Sequence, residues 1–173
     1  ESGDEVPDGL CDYCDEPMNV PHEHVYGDWI VETPAKPGIA GLKYKACPVC
    51  GAERVEETIE AVKLIGIGGL TLTLESNIAI NYRINSNYFS TYGYDEIYLV
   101  VDFNGKKTTI RDYVMDGDRL VFTFSEVSAN MMSDSVLATA YGVYDGEVYE
   151  CRNLEYSVVE YAKDQIAGFS GEL

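Results

Sequence analysis

The sequence predicts a mainly β protein in two parts: a small zinc-ribbon-like N-terminal module, then an antiparallel β-sandwich with a C-terminal helix. Three observations lead there. Two Cys-x-x-Cys pairs, Cys11–Cys14 and Cys47–Cys50, stand 32 residues apart. Beyond residue 68 apolar and polar side chains alternate with period two, and Asn-Gly and Asp-Gly pairs punctuate the alternation. From Ser157 the apolar spacing lengthens to that of a helix. These shifts divide the chain into a flexible acidic lead-in (1–10), the cysteine module (11–60), the sandwich (68–153) and the helix with its tail (154–173).

The cysteine spacing points to a structural Zn²⁺ held by Cys11, Cys14, Cys47 and Cys50. Zinc prefers a closed tetrahedron of soft or borderline donors, and two intervening residues let both sulfurs of a pair reach one ion. In the second pair Pro48 pre-sets a turn dihedral and Gly51 tolerates a left-handed exit. In the first pair Asp15 stands at that exit, a residue that also visits left-handed conformations. Two other readings stay open: a His22 or His24 ligand in place of one cysteine, and disulfides or free thiols. A redox dithiol would want a βαβ setting, and the sequence offers none.

Within this module Val25, Trp29 and Val31 suggest a short strand face around the only tryptophan, which reads as the module's core rather than a ligand platform. Thr33-Pro34 and Lys36-Pro37-Gly38 interrupt it. Leu42 to Ala46 and Glu53 to Ile59 read as two further strands of a small antiparallel ribbon. So short a ribbon buries little core, which is the physical reason for a metal.

Glu60 to Gly69 carries three glycines and reads as a hinge or a strand entry. Leu70, Leu72 and Leu74 alternate with threonines, and Ile78, Ile80, Tyr82 and Ile84 with polar residues, giving two half-buried strands. Asn85 to Tyr94 is a polar, tyrosine-rich loop. Ile97 to Phe103 is a strand, Asn104-Gly105 a type I′ turn, and Thr108 to Val114 the returning strand. Asp116-Gly117 marks a second turn before Leu120, Phe122 and Phe124. Ser125 to Ser133 is a helical turn or crossover loop. Val136 to Tyr144 and Glu147 to Arg152 flank a third turn at Asp145-Gly146. About eight strands at this spacing make a sandwich. Ser157 and Glu160 then form a capping-box pattern; Val158, Ala162 and Ile166 line one face with Tyr161 beside them, and Gly168 is the expected stop.

Composition narrows the function. Among 173 residues the formal net charge is −18, which repels phosphate backbones and anionic bilayers, so nucleic acid and membrane insertion are not expected. The 14 tyrosines, with abundant Asn, Thr, Ser and Gly, suit an extracellular or surface protein. A chain starting at Glu1 fits either a secreted protein whose signal peptide has been removed or a fragment of a longer protein. No nucleophile elbow, phosphate loop or His-Glu-x-x-His is present, so no catalytic residue is assigned and no enzyme is expected. Asp95, Glu96 and Asp112 are carboxylates of the kind glycosidases pair, but such acids occur by chance in an acidic chain. Asp116-Gly117-Asp118 is better read as a hairpin turn than a calcium loop, and Cys151 as a small buried apolar residue. Tyr88, Tyr92 and Tyr94 form the candidate ligand site: rings among amides and hydroxyls suit sugar stacking, or else the loop simply covers one end of the sandwich.

Two stretches resemble known families. His24-x-Tyr26-Gly27-x-Trp29 followed by Cys47-Pro48-Val49-Cys50-Gly51 and Glu57-x-Ile59 resembles a short zinc-ribbon-like module, often in tandem, of secreted multidomain proteins from Gram-positive gut bacteria. It spans about residues 22 to 60. Members carry Ala-Thr-Cys before the middle turn; Thr33-Pro34-Ala35-Lys36 lacks that cysteine, and the resemblance implies Cys11 and Cys14 as its replacement. Leu74-x-x-Asn77-Ile-Ala-Ile-Asn-Tyr82 and Tyr156-Ser-Val-Val-Glu-Tyr-Ala162 are similar to an uncharacterised β-domain of the same proteins, with Val159 in place of an Arg. The second resemblance covers about residues 68 to 166. Together they imply a secreted or surface protein and no activity. The expected function is a non-catalytic extracellular module with protein or glycan contacts. The alternatives are a carbohydrate-binding accessory domain of a secreted enzyme and an intracellular zinc-ribbon protein-interaction domain.

Overall fold

The computed structural model describes residues 23–48, 54–74 and 77–170, with side chains to 167. It is mainly β, with antiparallel sheets and a C-terminal helix. The chain divides into two compact units, Glu1–Val62 and Lys63–Leu173.

The described part of the first unit is a three-stranded antiparallel sheet. Strands β1 (Ile30–Thr33), β2 (Gly41–Ala46) and β3 (Arg54–Ile59) lie in the order β1-β2-β3. Val25 lies outside β1, which starts only after Trp29. Both faces of the sheet meet solvent: Ile30, Val31 and Val55 are all exposed. Opposite residues share a face, so Ile30, Tyr44 and Glu56 line one side and Val31, Lys43 and Glu57 the other. On the first side Arg54 lies over the Tyr44 ring and pairs with Glu32 and Glu56. Gly41 is where the chain turns back on itself; a Cβ there would sit 2.5 Å from the Thr33 carbonyl oxygen.

The second unit holds two four-stranded antiparallel sheets. The first contains β6 (Glu96–Phe103), β7 (Lys106–Ile110), β10 (Val136–Tyr144) and β11 (Glu147–Tyr156), in the order β11-β10-β6-β7. The second contains β4 (Gly69–Leu74), β5 (Ile78–Asn85), β8 (Val114–Asp116) and β9 (Arg119–Val127), in the order β4-β5-β9-β8. Period-two alternation sends Leu99, Val101 and Phe103 inward from one sheet and Ile80, Tyr82, Ile84, Phe122 and Phe124 from the other. Phe103 of the first sheet meets Phe124 of the second edge to face, 5.9 Å between centroids.

Packing within the first sheet pairs large with small. Phe103, Val101, Leu99 and Ile97 of β6 lie opposite Val136, Ala138, Ala140 and Gly142 of β10. The series ends at Gly142 for a steric reason: a Cβ there would lie 2.5 Å from ring carbons of Tyr94 and 2.6 Å from Ile65 Cδ1. Gly142→Ala is therefore expected to overpack the core and cost about 1–3 kcal/mol in urea unfolding. A change of a few tenths would show that Tyr94 and Ile65 can yield.

The turn chemistry follows the residues. Asn104 (φ 52°) with Gly105 (φ 78°), and Asp145 (φ 51°) with Gly146 (φ 75°), take the double positive φ of type I′ turns. The turn expected at Asp116-Gly117 sits one residue later, at Gly117-Asp118, with Gly117 (φ 60°) at the first central position as a type II′ turn requires. The expected strand Thr108 to Val114 is instead two strands, β7 and β8, and Arg111 to Tyr113 carries the chain from one sheet to the other. Ser125 to Val127 extends β9, so the crossover shrinks to one 3-10 turn at Ala129–Met131.

Helix α2 (Val158–Ser170) starts with the anticipated reciprocal cap. The Ser157 hydroxyl and backbone N–H both donate to Glu160 Oε2 at 2.8 Å, and the Glu160 N–H donates to Ser157 Oγ at 3.2 Å. Only its first turn is buried. Val158 is enclosed, whereas Ala162 is exposed and Ile166 is 70% exposed, so the expected apolar stripe is not covered along its length. The helix also runs through Gly168 to Ser170 instead of stopping there.

The cap gives a pH prediction. Hydrogen bonds from the Ser157 hydroxyl, then from its backbone N–H, hold the Glu160 carboxyl below its ordinary pKa of 4.5. A depressed carboxyl stabilises the fold above its unfolded pKa, and the contribution fades as pH falls through the lowered value. Helix signal is thus expected to drop as acid is added below about pH 4.5, and Glu160→Gln, which still accepts both bonds, should flatten that drop. Ser157→Ala should cost about 1 kcal/mol at neutral pH. Identical acid titrations of wild type and Glu160→Gln would overturn this account.

Candidate functional site

The tyrosine loop is the first candidate to place. One helical turn, α1 (Asn87–Ser90), interrupts it. That turn aims Tyr88 inward, and Tyr94 follows into the core, so the two are only 6% and 3% exposed. Tyr92 remains half-buried. The rings form a chain: Tyr88 with Tyr92 at 5.5 Å, Tyr88 with Tyr94 at 6.2 Å, Tyr94 with Tyr144 at 5.8 Å, and Tyr144 with Tyr149 at 6.4 Å.

Their hydroxyls are spent on the backbone of the entering chain. Tyr94 Oη donates to the Lys63 carbonyl at 3.0 Å. The Gly66 N–H donates to Tyr88 Oη at 3.0 Å. Between them Ile65 is fully buried, and its carbonyl accepts from the Arg152 N–H at 3.1 Å. Tyr88 and Tyr94 therefore clamp the Lys63 to Gly66 segment that opens this unit, as a loop covering one end of it would. Neither offers an open ring face for a sugar. Within Glu60 to Gly69 the strand itself begins only at Gly69.

Cys151 lies beside this clamp. Its Sγ is 3.9 Å from Tyr94 Oη and donates to the Tyr149 carbonyl at 3.6 Å. Burial pushes its pKa upward, the opposite of what a reactive thiolate needs. Of the carboxylates singled out above, Glu96 pairs with Arg111, Asp116 with Arg83 and Asp118 with Arg119. Asp116 and Asp118 bracket the β8–β9 hairpin, in keeping with a turn.

Of the expected zinc ligands, Cys11, Cys14 and Cys50, with His22, lie outside the described residues. Cys47 lies within them, directly after β2, and is 1% exposed. A sulfur donor so shielded fits a structural metal position. Among the described residues no group of three or more His, Cys, Asp or Glu side chains is placed to hold an ion.

Two surface features remain. Trp29, expected from the sequence to be core rather than a ligand platform, is 39% exposed. Lys43 and Lys45 lie over its ring at 4.8 and 5.1 Å, and Lys45 also lies 5.4 Å over Tyr26. The signal was the alternation Lys43-Tyr44-Lys45, which sets both ammoniums on one strand face. The outer face of the first sheet carries a ladder: Arg111 lies 4.2 Å over Tyr98, Tyr98 stacks on Tyr141 at 5.4 Å, and Tyr141 Oη donates to Glu150 at 2.9 Å. Tyr98 is hidden in the apolar run Ile97 to Val101, which masks its face.

No family model matches this chain, and no curated protein matches it. No helix among the described residues is long and apolar enough to cross a membrane.

Proposed function

We propose that this chain is a non-catalytic module of an extracellular or cell-surface protein. In this reading a structural Zn²⁺ on Cys11, Cys14, Cys47 and Cys50 staples a ribbon-like first unit, and a β-sandwich forms the second. Both make contacts with a protein or a glycan. The observation that supports contact-making is Trp29: a partly exposed indole with two lysine ammoniums over its ring puts apolar surface and hydrogen-bond donors side by side, where a glycan or peptide can meet both. The carbohydrate reading thereby moves from Tyr88 and Tyr94, which the clamp occupies, to the three-stranded sheet. The support for zinc is that this sheet exposes both faces and has a buried thiol at the end of β2.

Screening the full chain against a glycan array and surface-protein extracts tests the reading. A ligand retained by wild type and lost, at least tenfold weaker, in Trp29→Ala is the expected result. A ligand that ignores the substitution would remove Trp29 from the account, and the absence of any ligand would leave a spacer.

A further inference from the structure

The four sheet edges of the second unit are not equally protected. Unpaired edges template association, and proteins blunt them with short strands, lysines or covering chain. Strand β8 is only three residues long. Strand β7 opens with Lys106 and Lys107. Strand β11 has its Arg152 N–H engaged by the Ile65 carbonyl. Strand β4 is neither short nor charged: Gly69-Leu70-Thr71-Leu72-Thr73-Leu74 is six residues long with no charge and no proline, and among the described residues no strand pairs with its outer edge.

Its sequence is also its own complement. Leu70 to Leu74 reads the same in both directions. Antiparallel pairing of two such strands about Leu72 sets Leu70 against Leu74 of the other copy and Thr71 against Thr73. Leu70 and Leu72 lie opposite Tyr82 and Ile80, so the leucines are on the apolar side. Thr73 accepts a hydrogen bond from Asn81 at 2.9 Å, which places the threonines on the outer side. Leu then meets Leu and Thr meets Thr, both favourable cross-strand pairs, and Leu74, now 66% exposed, gains cover.

We infer that β4 pairs with β4 of a second copy of this chain, joining two four-stranded sheets into one eight-stranded sheet across a two-fold axis. The contact is small beside the roughly 800 Å² per partner of a standard interface. The dimer is therefore weak and concentration-dependent. Two chains of net charge −18 repel each other, so salt strengthens it. The inference does not depend on zinc or on the ligand.

Sedimentation of the full chain from micromolar to millimolar concentration tests it, in low and high salt. Wild type should move reversibly toward twice the mass of one chain, more so in high salt. Thr71→Lys with Thr73→Lys sets lysine against lysine twice and should weaken the dimer about tenfold or more, as should the corresponding double glutamate variant. Mixing the two variants should restore association, because Lys then meets Glu. Circular dichroism checks that each variant is folded. If either is not, hydrogen exchange on wild type decides: amides of residues 70 to 74 must gain protection as concentration rises. A monomer at every concentration, a dimer indifferent to the lysines, or edge amides that never gain protection would each overturn the inference.

Discussion

Chelation of the full chain is expected to open residues 11 to 60 to proteolysis and leave the two-sheet unit resistant. The argument is one of scale. Structural zinc in small modules contributes on the order of 10 kcal/mol, more than the whole stability of many domains. The described sheet of the first unit exposes Ile30, Val31, Val55 and part of Trp29, so apolar burial there is too small to substitute. The second unit rests on its own core, from Ile80 and Tyr82 to Phe122 and Phe124, and needs no metal. Limited proteolysis with and without a chelator, read by mass spectrometry, gives the fragments; metal analysis gives the stoichiometry. One zinc per chain with selective cleavage before residue 63 is the expected pair of results. A metal-free protein with the same fragments in both conditions would remove zinc, and intact-mass measurement before and after reduction would then reveal disulfides.

Ile65→Ala is expected to cost the second unit about 2–5 kcal/mol, the range for emptying a fully buried isoleucine site. The upper half of that range is the better expectation. Ile65 sits where Gly142 leaves room and Tyr94 closes over it, and the backbone on either side is tied to Tyr88, Tyr94 and Arg152. With its neighbours so restrained, the site cannot collapse around the missing atoms. Urea unfolding followed by tyrosine fluorescence reports mainly on this unit, since 11 of the 14 tyrosines lie in it and Trp29 lies in the other. A loss under about 1 kcal/mol would mean that the entering segment is loosely held and the clamp is incidental.

Reading the candidate site from sequence alone was hardest at the tyrosines. Tyr88, Tyr92 and Tyr94 stand among Asn, Ser and Thr, a composition that suits an open polar loop. Their burial depends on the Lys63 to Gly66 backbone, more than twenty positions away, arriving at the same end of the unit. Trp29 errs in the other direction: a lone tryptophan suggests a core, but a three-stranded sheet has too little apolar surface to enclose it. The split of Thr108 to Val114 shows the same limit. Alternation lapses at Arg111-Asp112, but a break in a period of two does not say that the chain has changed sheets.

What the residues determined unaided is whatever local physics decides. The positive φ of Asn104-Gly105 and Asp145-Gly146, the alternating strands and the Ser157–Glu160 cap all depend on neighbours within a few positions. Tertiary structure alone decided which tyrosines are sealed, which strands lie at the sheet edges and how far the described part of α2 is covered. Burial is set by what arrives from elsewhere in the chain, and a hydroxyl that looks ready for a sugar is satisfied as well by a distant carbonyl.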